Sequence, residues 1–275
     1  MIAGWEWDES LFAGAARHYR QGRLPYAPGF AAAIASALSL DGRGRLLDAG
    51  CGPGNVTAAL APHFEEVVGL DPDAGMLAEA SRSGVPNARW VRARAEDLPA
   101  GLGSFRMVTL AQSFHWMDRA RVAATVLDML EPGGWIVHIS ELRDPPPSPV
   151  PLPRPFPPYE QIGALVRHYL GPVRRAGQGK IAGGQTPNRE DLVISAAGFV
   201  DHRRLTVPAG QVIERGTDDL VAWTLSLSGS APHLFGERLG DFERELRALL
   251  RNAGGRFAEH GPPTDLQIWR KPPGR

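Results

Sequence analysis

The sequence has one cysteine, Cys51, among its 275 residues. A single cysteine excludes a disulfide framework and a cysteine-rich zinc site, and it fits a reducing cytoplasm. An excess of either charge is also missing, since 30 basic residues balance 30 acidic ones. A balanced charge gives no indication of the basic surface that would bind nucleic acid or an anionic membrane. We therefore expect a cytoplasmic protein with no metal site and no nucleic-acid partner.

Long apolar runs are missing as well. No stretch of about 18 apolar residues occurs, and the opening MIAGWEWDESLF lacks the basic-then-apolar order of a signal peptide. We therefore expect no membrane partner. At 275 residues the chain is long for a minimal α/β domain, which favours one domain with additions. A monomer and a homodimer are both compatible with the sequence.

The most informative stretch is 45–71, RLLDAGCGPGNVTAALAPHFEEVVGLD. It predicts a strand, a turn containing Gly50, Gly52 and Gly54, a helix, and a second strand that ends at Asp71. Glycines let the backbone turn sharply and approach a ligand. The first N–H groups of the helix then face the crevice. A carboxylate about 20 residues after the glycines is well placed for the ribose hydroxyls of an adenosine.

Two features of this stretch argue against a dinucleotide. The glycines follow G-x-G-x-G, whereas the dinucleotide fingerprint has its third glycine further along. Asp48 ends the first strand, and a carboxylate aimed into the turn would repel a pyrophosphate but attract an ammonium or sulfonium group. The sequence therefore predicts a partly cationic ligand and disfavours a nicotinamide-dependent oxidoreductase.

These residues closely resemble motif I of the class I S-adenosylmethionine-dependent methyltransferases. The resemblance implies an α/β fold with a Rossmann-like, doubly wound, mostly parallel sheet of seven strands, an N-terminal helical cap and helical insertions. It implies S-adenosylmethionine as cofactor, S-adenosylhomocysteine as product and a small-molecule acceptor. Asp48 and the turn from Gly50 to Gly54 would hold the methionyl end, and Asp71 the ribose. Met76 would pack on the adenine, although packing in the core explains a methionine equally well.

A second resemblance lies near the N-terminus, in residues 19–28, YRQGRLPYAP. Many small-molecule methyltransferases place a similar segment over the cofactor. By that register Arg23 pairs with the methionyl carboxylate and Tyr19 lies beside it. The planar guanidinium can hold a carboxylate through two hydrogen bonds. Leu24 replaces the usual proline, and a solvated Arg23 in a connecting loop is the alternative.

Residues 95–99, AEDLP, resemble the adenine-end motif of the family. Many members carry an aspartate before the alanine, where this chain has Arg94. An arginine offers only donors and cannot accept the adenine amino protons. We therefore expect Ala95 to donate its backbone N–H and either Glu96 or Asp97 to accept. A solvated pair of acids at a helix start is the alternative.

Residues 111–118, AQSFHWMD, follow the fourth predicted strand and resemble an A-x-x-x-H-W segment of small-molecule methyltransferases. Ligands of open α/β sheets bind beyond the carboxyl ends of the strands, so this segment should face the transferable methyl group. His115 is the candidate general base, Phe114 and Trp116 offer aromatic faces to the substrate or the sulfonium, and Gln112 is expected on the cofactor. The alternative is that the His-Trp pair only shapes the turn.

Trp223 is predicted to line a substrate pocket, with helix packing as the alternative. A non-catalytic protein that binds S-adenosylmethionine is the alternative to an enzyme, because the acceptor signal is weaker than the cofactor signal. The predicted segments are a helical cap over the cofactor (1–40), the cofactor-binding core (41–142), a proline-rich connector with a helical insertion (143–187), and the C-terminal part of the core with a helical lid between its last two strands (188–275).

Overall fold

The computed structural model describes residues 10–176, 179–181 and 190–274. Contacts divide the chain into two compact units. The sheet unit comprises the described residues of Ala27–Arg143, Thr186–Pro208 and Pro263–Arg275. The helical unit comprises those of Met1–Tyr26, Asp144–Gln185 and Ala209–Pro262. The predicted N-terminal cap, 1–40, therefore contributes residues to both units.

Strands and helices alternate along much of the described chain. The strands are β1 (Arg45–Ala49), β2 (Glu66–Asp71), β3 (Ala88–Arg92), β4 (Phe105–Ala111), β5 (Leu130–Glu141), β6 (Arg174–Ala176), β7 (Gly179–Ile181), β8 (Val200–Val207), β9 (Val212–Gly216), β10 (Arg256–His260) and β11 (Thr264–Arg270). The helices are α1 (Ala16–Gly22), α2 (Phe30–Leu38), α3 (Asn55–Leu60), α4 (Ala74–Ser81), α5 (Arg119–Met129), α6 (Tyr159–Leu170), α7 (Glu190–Ala196), α8 (Thr217–Leu225) and α9 (Leu239–Asn252).

The sheet unit is built on seven strands in the order β3-β2-β1-β4-β5-β11-β8. Neighbours from β3 to β5 run parallel, and β11 is antiparallel to both β5 and β8. The predicted seven-stranded, mostly parallel sheet is confirmed. The strand order reverses between β1 and β4, and such a switch point opens a crevice at the carboxyl ends of the strands.

The central strands are buried on both faces, which is why they are nearly continuous apolar runs in the sequence. Asp118 caps the N-terminus of α5, since its Oδ1 accepts a hydrogen bond from the Arg121 N–H (3.3 Å). The helix then packs its apolar side into the core of the unit. That core includes Leu47, Val68, Leu70, Phe105, Val108, Leu110, Val122, Val126, Ile136 and Trp269.

Strand β5 begins with residues that ordinarily form a turn. Residues 131–134, EPGG, lie inside β5. The pairing with β4 shifts register between Phe105 and Met107, and Gly133 adopts a φ of +74°. Such an irregularity lets a strand carry residues that would otherwise end it.

The helical unit contains the antiparallel pair β9 and β10, which the sequence does not predict. Arg215 in β9 and Glu259 in β10 are both buried. Charged residues at buried positions remove the apolar alternation by which a strand is recognised. The apolar core of this unit, in contrast, has clear helical spacing along α9. It includes Ile162, Leu220, Leu225, Phe242, Leu246, Leu250 and Phe257.

No helix in the described part of the chain combines the length and the apolar character that crossing a membrane requires.

Candidate cofactor and acceptor site

The glycine turn follows β1 and is tied to β2. The N–H groups of Gly50 and Cys51 both donate to the Leu70 carbonyl, at 2.7 and 3.0 Å. Gly50, Gly52 and Gly54 have φ values of +71°, +54° and +80°, in the left-handed region. Residues with a side chain are strained there, which explains three glycines in so short a stretch.

The surroundings of these glycines differ. A Cβ on Gly50 would lie 2.5 Å from the Ser113 Cβ, and one on Gly54 would lie 2.6 Å from the Trp90 ring. A Cβ on Gly52 would meet nothing within 4 Å. Packing therefore requires the absence of a side chain at Gly50 and Gly54, whereas Gly52 borders open space that a ligand can use.

Asp48 is fully buried, and two hydroxyls hold its carboxylate. Its Oδ2 accepts a hydrogen bond from the Thr57 hydroxyl (2.6 Å), and its Oδ1 accepts one from the Thr109 hydroxyl (2.7 Å). Burial raises the pKa of this carboxyl, and the two hydroxyls oppose that shift. Both oxygens of the carboxylate that is predicted to hold the methionyl end therefore already accept hydrogen bonds from the protein. The partners come from a helix and from the neighbouring strand, so local spacing did not reveal them.

Asp71 is partly buried at the end of β2, and backbone donors hold it. Gly52 N–H donates to Oδ2 and Asp73 N–H donates to Oδ1, each at 2.9 Å. Burial raises the pKa of Asp71 to about 6 against these hydrogen bonds. A carboxylate can accept about four hydrogen bonds, so it retains capacity for ribose hydroxyls. Asp73 also begins α4 by accepting from the N–H of Met76, whose side chain is buried.

The two acids at the adenine end have different surroundings. Glu96 is buried, and its Oε1 accepts a hydrogen bond from the Asp118 N–H (2.8 Å). The Arg94 Nε lies 3.5 Å from its Oε2. Asp97 is exposed, and its Oδ2 accepts from the Arg94 N–H (3.1 Å). Ala95, the predicted backbone donor, is buried. Of the two acids, only Asp97 presents its carboxylate to solvent.

The segment after β4 begins with a strained residue. Gln112 has a φ of +52°, which is uncommon for a residue with a side chain. Its N–H donates to the Ile139 carbonyl (3.0 Å), and the hydroxyl of Ser113 donates to the Ala49 carbonyl (2.8 Å). Strain of this kind is found at functional sites, where the surrounding contacts sustain it.

Phe114 lies in the core. It is 0% exposed, and its ring meets the His138 ring edge-on at 6.5 Å between centroids. The prediction that Phe114 offers its ring to a substrate is therefore corrected, because the short helical turn of residues 114–116 directs it inward. His115 and Trp116 are only partly buried, with ring centroids 4.9 Å apart.

The remaining predicted site residues lie in the helical unit. Arg23 Nη2 donates to the Ser226 carbonyl (3.1 Å), and its guanidinium lies 5.0 Å from the Tyr19 ring centroid. The buried Arg23 Nε has no hydrogen-bond partner among the described residues. Trp223 is partly buried, with its ring centroid 4.5 Å from that of Tyr159. Arg23 is thus packed against protein and keeps one N–H for a further acceptor.

Sequence reasoning missed several residues that shape the site. Thr57 and Thr109 hold Asp48, and Ser113 packs on the turn. A hydroxyl residue within an apolar strand, as in FRMVTLA, was the available signal. No group of three or more histidine, cysteine, aspartate or glutamate residues within the described ranges could hold a metal ion.

Comparison with known proteins finds methyltransferases. A family model described as a methyltransferase domain matches residues 46–134. An uncharacterized methyltransferase of Mycobacterium tuberculosis is 32% identical over 184 residues, which cover 60% of this chain and 74% of the relative. The trans-aconitate 2-methyltransferase of Deinococcus radiodurans is 37% identical over 93 residues, 33% of this chain and 35% of the relative. The malonyl-[acyl-carrier protein] O-methyltransferase of Enterobacter lignolyticus is 34% identical over 136 residues, 49% and 53% of the two chains.

Solved structures share the fold. The [4+2]-cyclase SpnF superposes with a TM-score of 0.55 at 17% identity, covering 96% of this chain and 95% of the other. The N-methyltransferase NodS of Bradyrhizobium japonicum, in complex with S-adenosylhomocysteine, superposes with a TM-score of 0.51 at 13% identity. The match covers 96% of this chain and 99% of NodS.

The chain belongs to the class I S-adenosylmethionine-dependent methyltransferases. It is an enzyme, and its cofactor is S-adenosylmethionine. The residues fit that cofactor, since Gly52 borders open space beside the Asp71 carboxylate, whose oxygens can still accept hydrogen bonds. Family membership decides against the oxidoreductase and the non-catalytic alternatives.

Proposed function

We propose that this methyltransferase acts on a small molecule and methylates an oxygen, nitrogen or carbon nucleophile. The observation that carries the proposal is the strained segment after β4, which leaves His115 and Trp116 partly accessible at the carboxyl end of that strand. The balanced charge of the chain supports a small acceptor over a nucleic acid. We further propose a cytoplasmic monomer or homodimer.

Each predicted cofactor contact has a chemical task. Asp71 would accept hydrogen bonds from the ribose hydroxyls, and the backbone around Gly52 would hold the methionyl end. From the resemblance of residues 19–28 alone, we propose that Arg23 would donate to the methionyl carboxylate and that Tyr19 would lie beside it. On the adenine, the Ala95 N–H would donate, Asp97 would accept, and Met76 and Gln112 would make packing contacts. The bound cofactor supplies an activated methyl group, which an in-line displacement at carbon transfers.

The protein's own contribution is alignment and, where the acceptor must lose a proton, a base. His115 would accept that proton at a ring nitrogen. Trp116 would present an aromatic face to the acceptor, and we propose the same task for Trp223. Asp48 would act through its charge beneath the turn, without touching the cofactor.

Small carboxylic acids are the acceptors to test first, because the names of two relatives specify trans-aconitate and a malonyl thioester. Formation of S-adenosylhomocysteine would be measured with a panel of such acids, with amines and with RNA. Turnover with an acid or an amine supports the proposal, whereas turnover with RNA alone contradicts it.

His115→Gln tests the base once an acceptor is found. General base catalysis typically contributes about 10²–10⁴-fold to a rate. We expect a loss of kcat of that order and the loss of one limb of the pH profile. His168→Gln, at an exposed position in α6, is the matched control and should leave kcat unchanged. A fully active His115→Gln variant would remove this residue from the mechanism.

A further inference from the structure

Glu96 has a position that the cofactor does not explain. We propose that Glu96 is a positioning residue for the acceptor segment, residues 111–118, and that Asp97 alone is left to accept from the adenine. The inference rests on the proposed function in one respect, because the proposed function is what makes residues 111–118 important for catalysis. Its structural part depends only on contacts within the sheet unit.

The Glu96 carboxylate is used by the protein. The side chain is 5% exposed, and Oε1 accepts the Asp118 N–H at 2.8 Å. The Arg94 guanidinium lies on the other oxygen, 3.5 Å from Nε to Oε2. A buried carboxylate requires such partners. An adenine amino group would therefore compete with contacts that the protein already makes.

The acceptor segment is held at both of its ends. At its start, Gln112 bonds the Ile139 carbonyl and Ser113 bonds the Ala49 carbonyl. At its end, Glu96 holds the N–H of Asp118. The side chain of Asp118 caps the N-terminus of α5, so the same residue joins the segment to a helix.

The part between these two attachments is short. It consists of the single helical turn 114–116 and Met117. Phe114 fixes the turn in the core, and His115 and Trp116 follow on the accessible side. Without the acceptor oxygen of Glu96, the end of the segment loses a charge-assisted hydrogen bond. A shift of about 1 Å in a reacting group can cost about 10²-fold in rate.

The two acids of the AEDLP motif thus divide their tasks by exposure. Glu96 points into the protein toward α5, and Asp97 remains at the surface with one oxygen occupied by the Arg94 N–H. This division predicts opposite phenotypes for two neighbouring residues of the same charge. Asp97 is therefore the matched control for Glu96.

Hydrogen exchange and calorimetry test the inference without any acceptor. In Glu96→Ala we expect exchange of the Asp118 amide to rise at least about tenfold, and affinity for S-adenosylhomocysteine to stay within about twofold of wild type. Glu96→Gln keeps an oxygen acceptor and should restore the protection. Asp97→Ala should weaken S-adenosylhomocysteine binding and leave the exchange of residues 112–118 unchanged.

Should Glu96→Ala fail to fold, Glu96→Asp serves as the second variant, because it keeps the charge and shortens the reach to Asp118. Unchanged exchange of residues 112–118 in a folded variant overturns the inference. So does a loss of S-adenosylhomocysteine affinity as large as that of Asp97→Ala.

Turnover adds a test that separates the inference from the proposed function. With an acceptor from the panel, Glu96→Ala should lower kcat about 10²-fold with the KM for S-adenosylmethionine unchanged. If no small molecule is methylated, the proposed function fails, while the exchange and affinity results still decide the placement of Glu96.

Discussion

The sheet unit and the helical unit each bury a carboxylate, but with different partners. In the helical unit, Glu259 accepts from Arg215 Nη1 (2.9 Å) and from the Tyr159 hydroxyl (2.7 Å). In the sheet unit, Asp48 accepts from the neutral hydroxyls of Thr57 and Thr109. A cation therefore balances Glu259, whereas the donors to Asp48 among the described residues are neutral hydroxyls.

This difference shows how a buried charge can serve either architecture or a ligand. Arg215 Nη2 also donates to the carbonyls of Gly22 and Asp219, so the ion pair joins β9, β10, α1 and α8. Burial raises the pKa of the Cys51 thiol in the glycine turn, and the charges of Asp48 and Asp71 raise it further. In the proposed function, the negative charge of Asp48 would attract the sulfonium group of the cofactor.

The largest expected effect comes from breaking the ion pair. Arg215→Met leaves the buried Glu259 without its cation, and removal of one partner of a buried pair costs about 3–5 kcal/mol. We expect a decrease of that size in the free energy of unfolding, measured with urea and circular dichroism. Arg247→Met is the control, because Arg247 pairs with Asp218 and Glu243 at the surface, and exposed pairs contribute about 0–1 kcal/mol. Equal losses of unfolding free energy in the two variants would show that the buried ion pair is no more important for stability than the surface pair.

A smaller loss of stability is expected when one of the two hydroxyl donors to Asp48 is removed. Thr109→Val removes one of the two hydroxyls and keeps the side-chain shape. An unsatisfied buried acceptor costs about 1–3 kcal/mol, and we expect that loss in the free energy of unfolding. Thr125→Val is the control, since the Thr125 hydroxyl bonds the exposed carbonyl of Arg121. A Thr109→Val variant as stable as wild type would show that one hydroxyl suffices.

Asp71 extends the comparison to a carboxylate held by backbone N–H groups. Its pKa of about 6 predicts that affinity for S-adenosylhomocysteine falls as the pH drops through 6, by about tenfold at one unit below the pKa. The reason is that a protonated carboxyl accepts ribose hydrogen bonds poorly. Calorimetry from pH 5 to 8 measures the effect. Asp71→Asn should bind weakly at every pH, and a flat profile for wild type would contradict the assignment.

The stability of the cofactor-free protein should change with pH in the direction opposite to the change in affinity. The folded-state pKa of Asp71 exceeds the ordinary value of 3.8, so the folded protein binds this proton more tightly than the unfolded chain. The contribution to stability is complete below 3.8 and is lost as the pH rises to about 6. Thermal melts of wild type and Asp71→Asn should therefore diverge across this window, in favour of the variant at higher pH.

The smallest effect concerns the second donor to Glu259. Tyr159→Phe removes a hydroxyl and leaves Arg215 in place, so the charge stays balanced. A single hydrogen bond contributes about 0.5–1.5 kcal/mol net, with the upper end more fitting for a charged acceptor. Urea unfolding should show a loss within that range. A loss as large as that of Arg215→Met would mean that the hydroxyl, and not the cation, sustains the buried carboxylate.

Local pattern predicted a large part of this molecule. Apolar residues recur at helical spacing along Tyr159–Leu170, which forms α6, and alternate along Thr264–Arg270, which forms β11. The glycine turn was also predictable, because glycine adopts left-handed backbone without the strain that a side chain brings. These features depend on residues a few positions apart, so the sequence determined them by itself.

Tertiary structure decided which residues became the hydrogen-bond partners of the site residues. Asp48 meets Thr109 through strand pairing, 61 positions along the chain, and Glu96 meets Asp118 across 22 positions. Phe114 is buried in the core, whereas His115 and Trp116 are only partly buried. The sequence did not reveal β9 because its buried residue is an arginine. Hydrogen bonds and burial depend on which segments meet in space, and the spacing of residue types along one segment carries no record of that meeting.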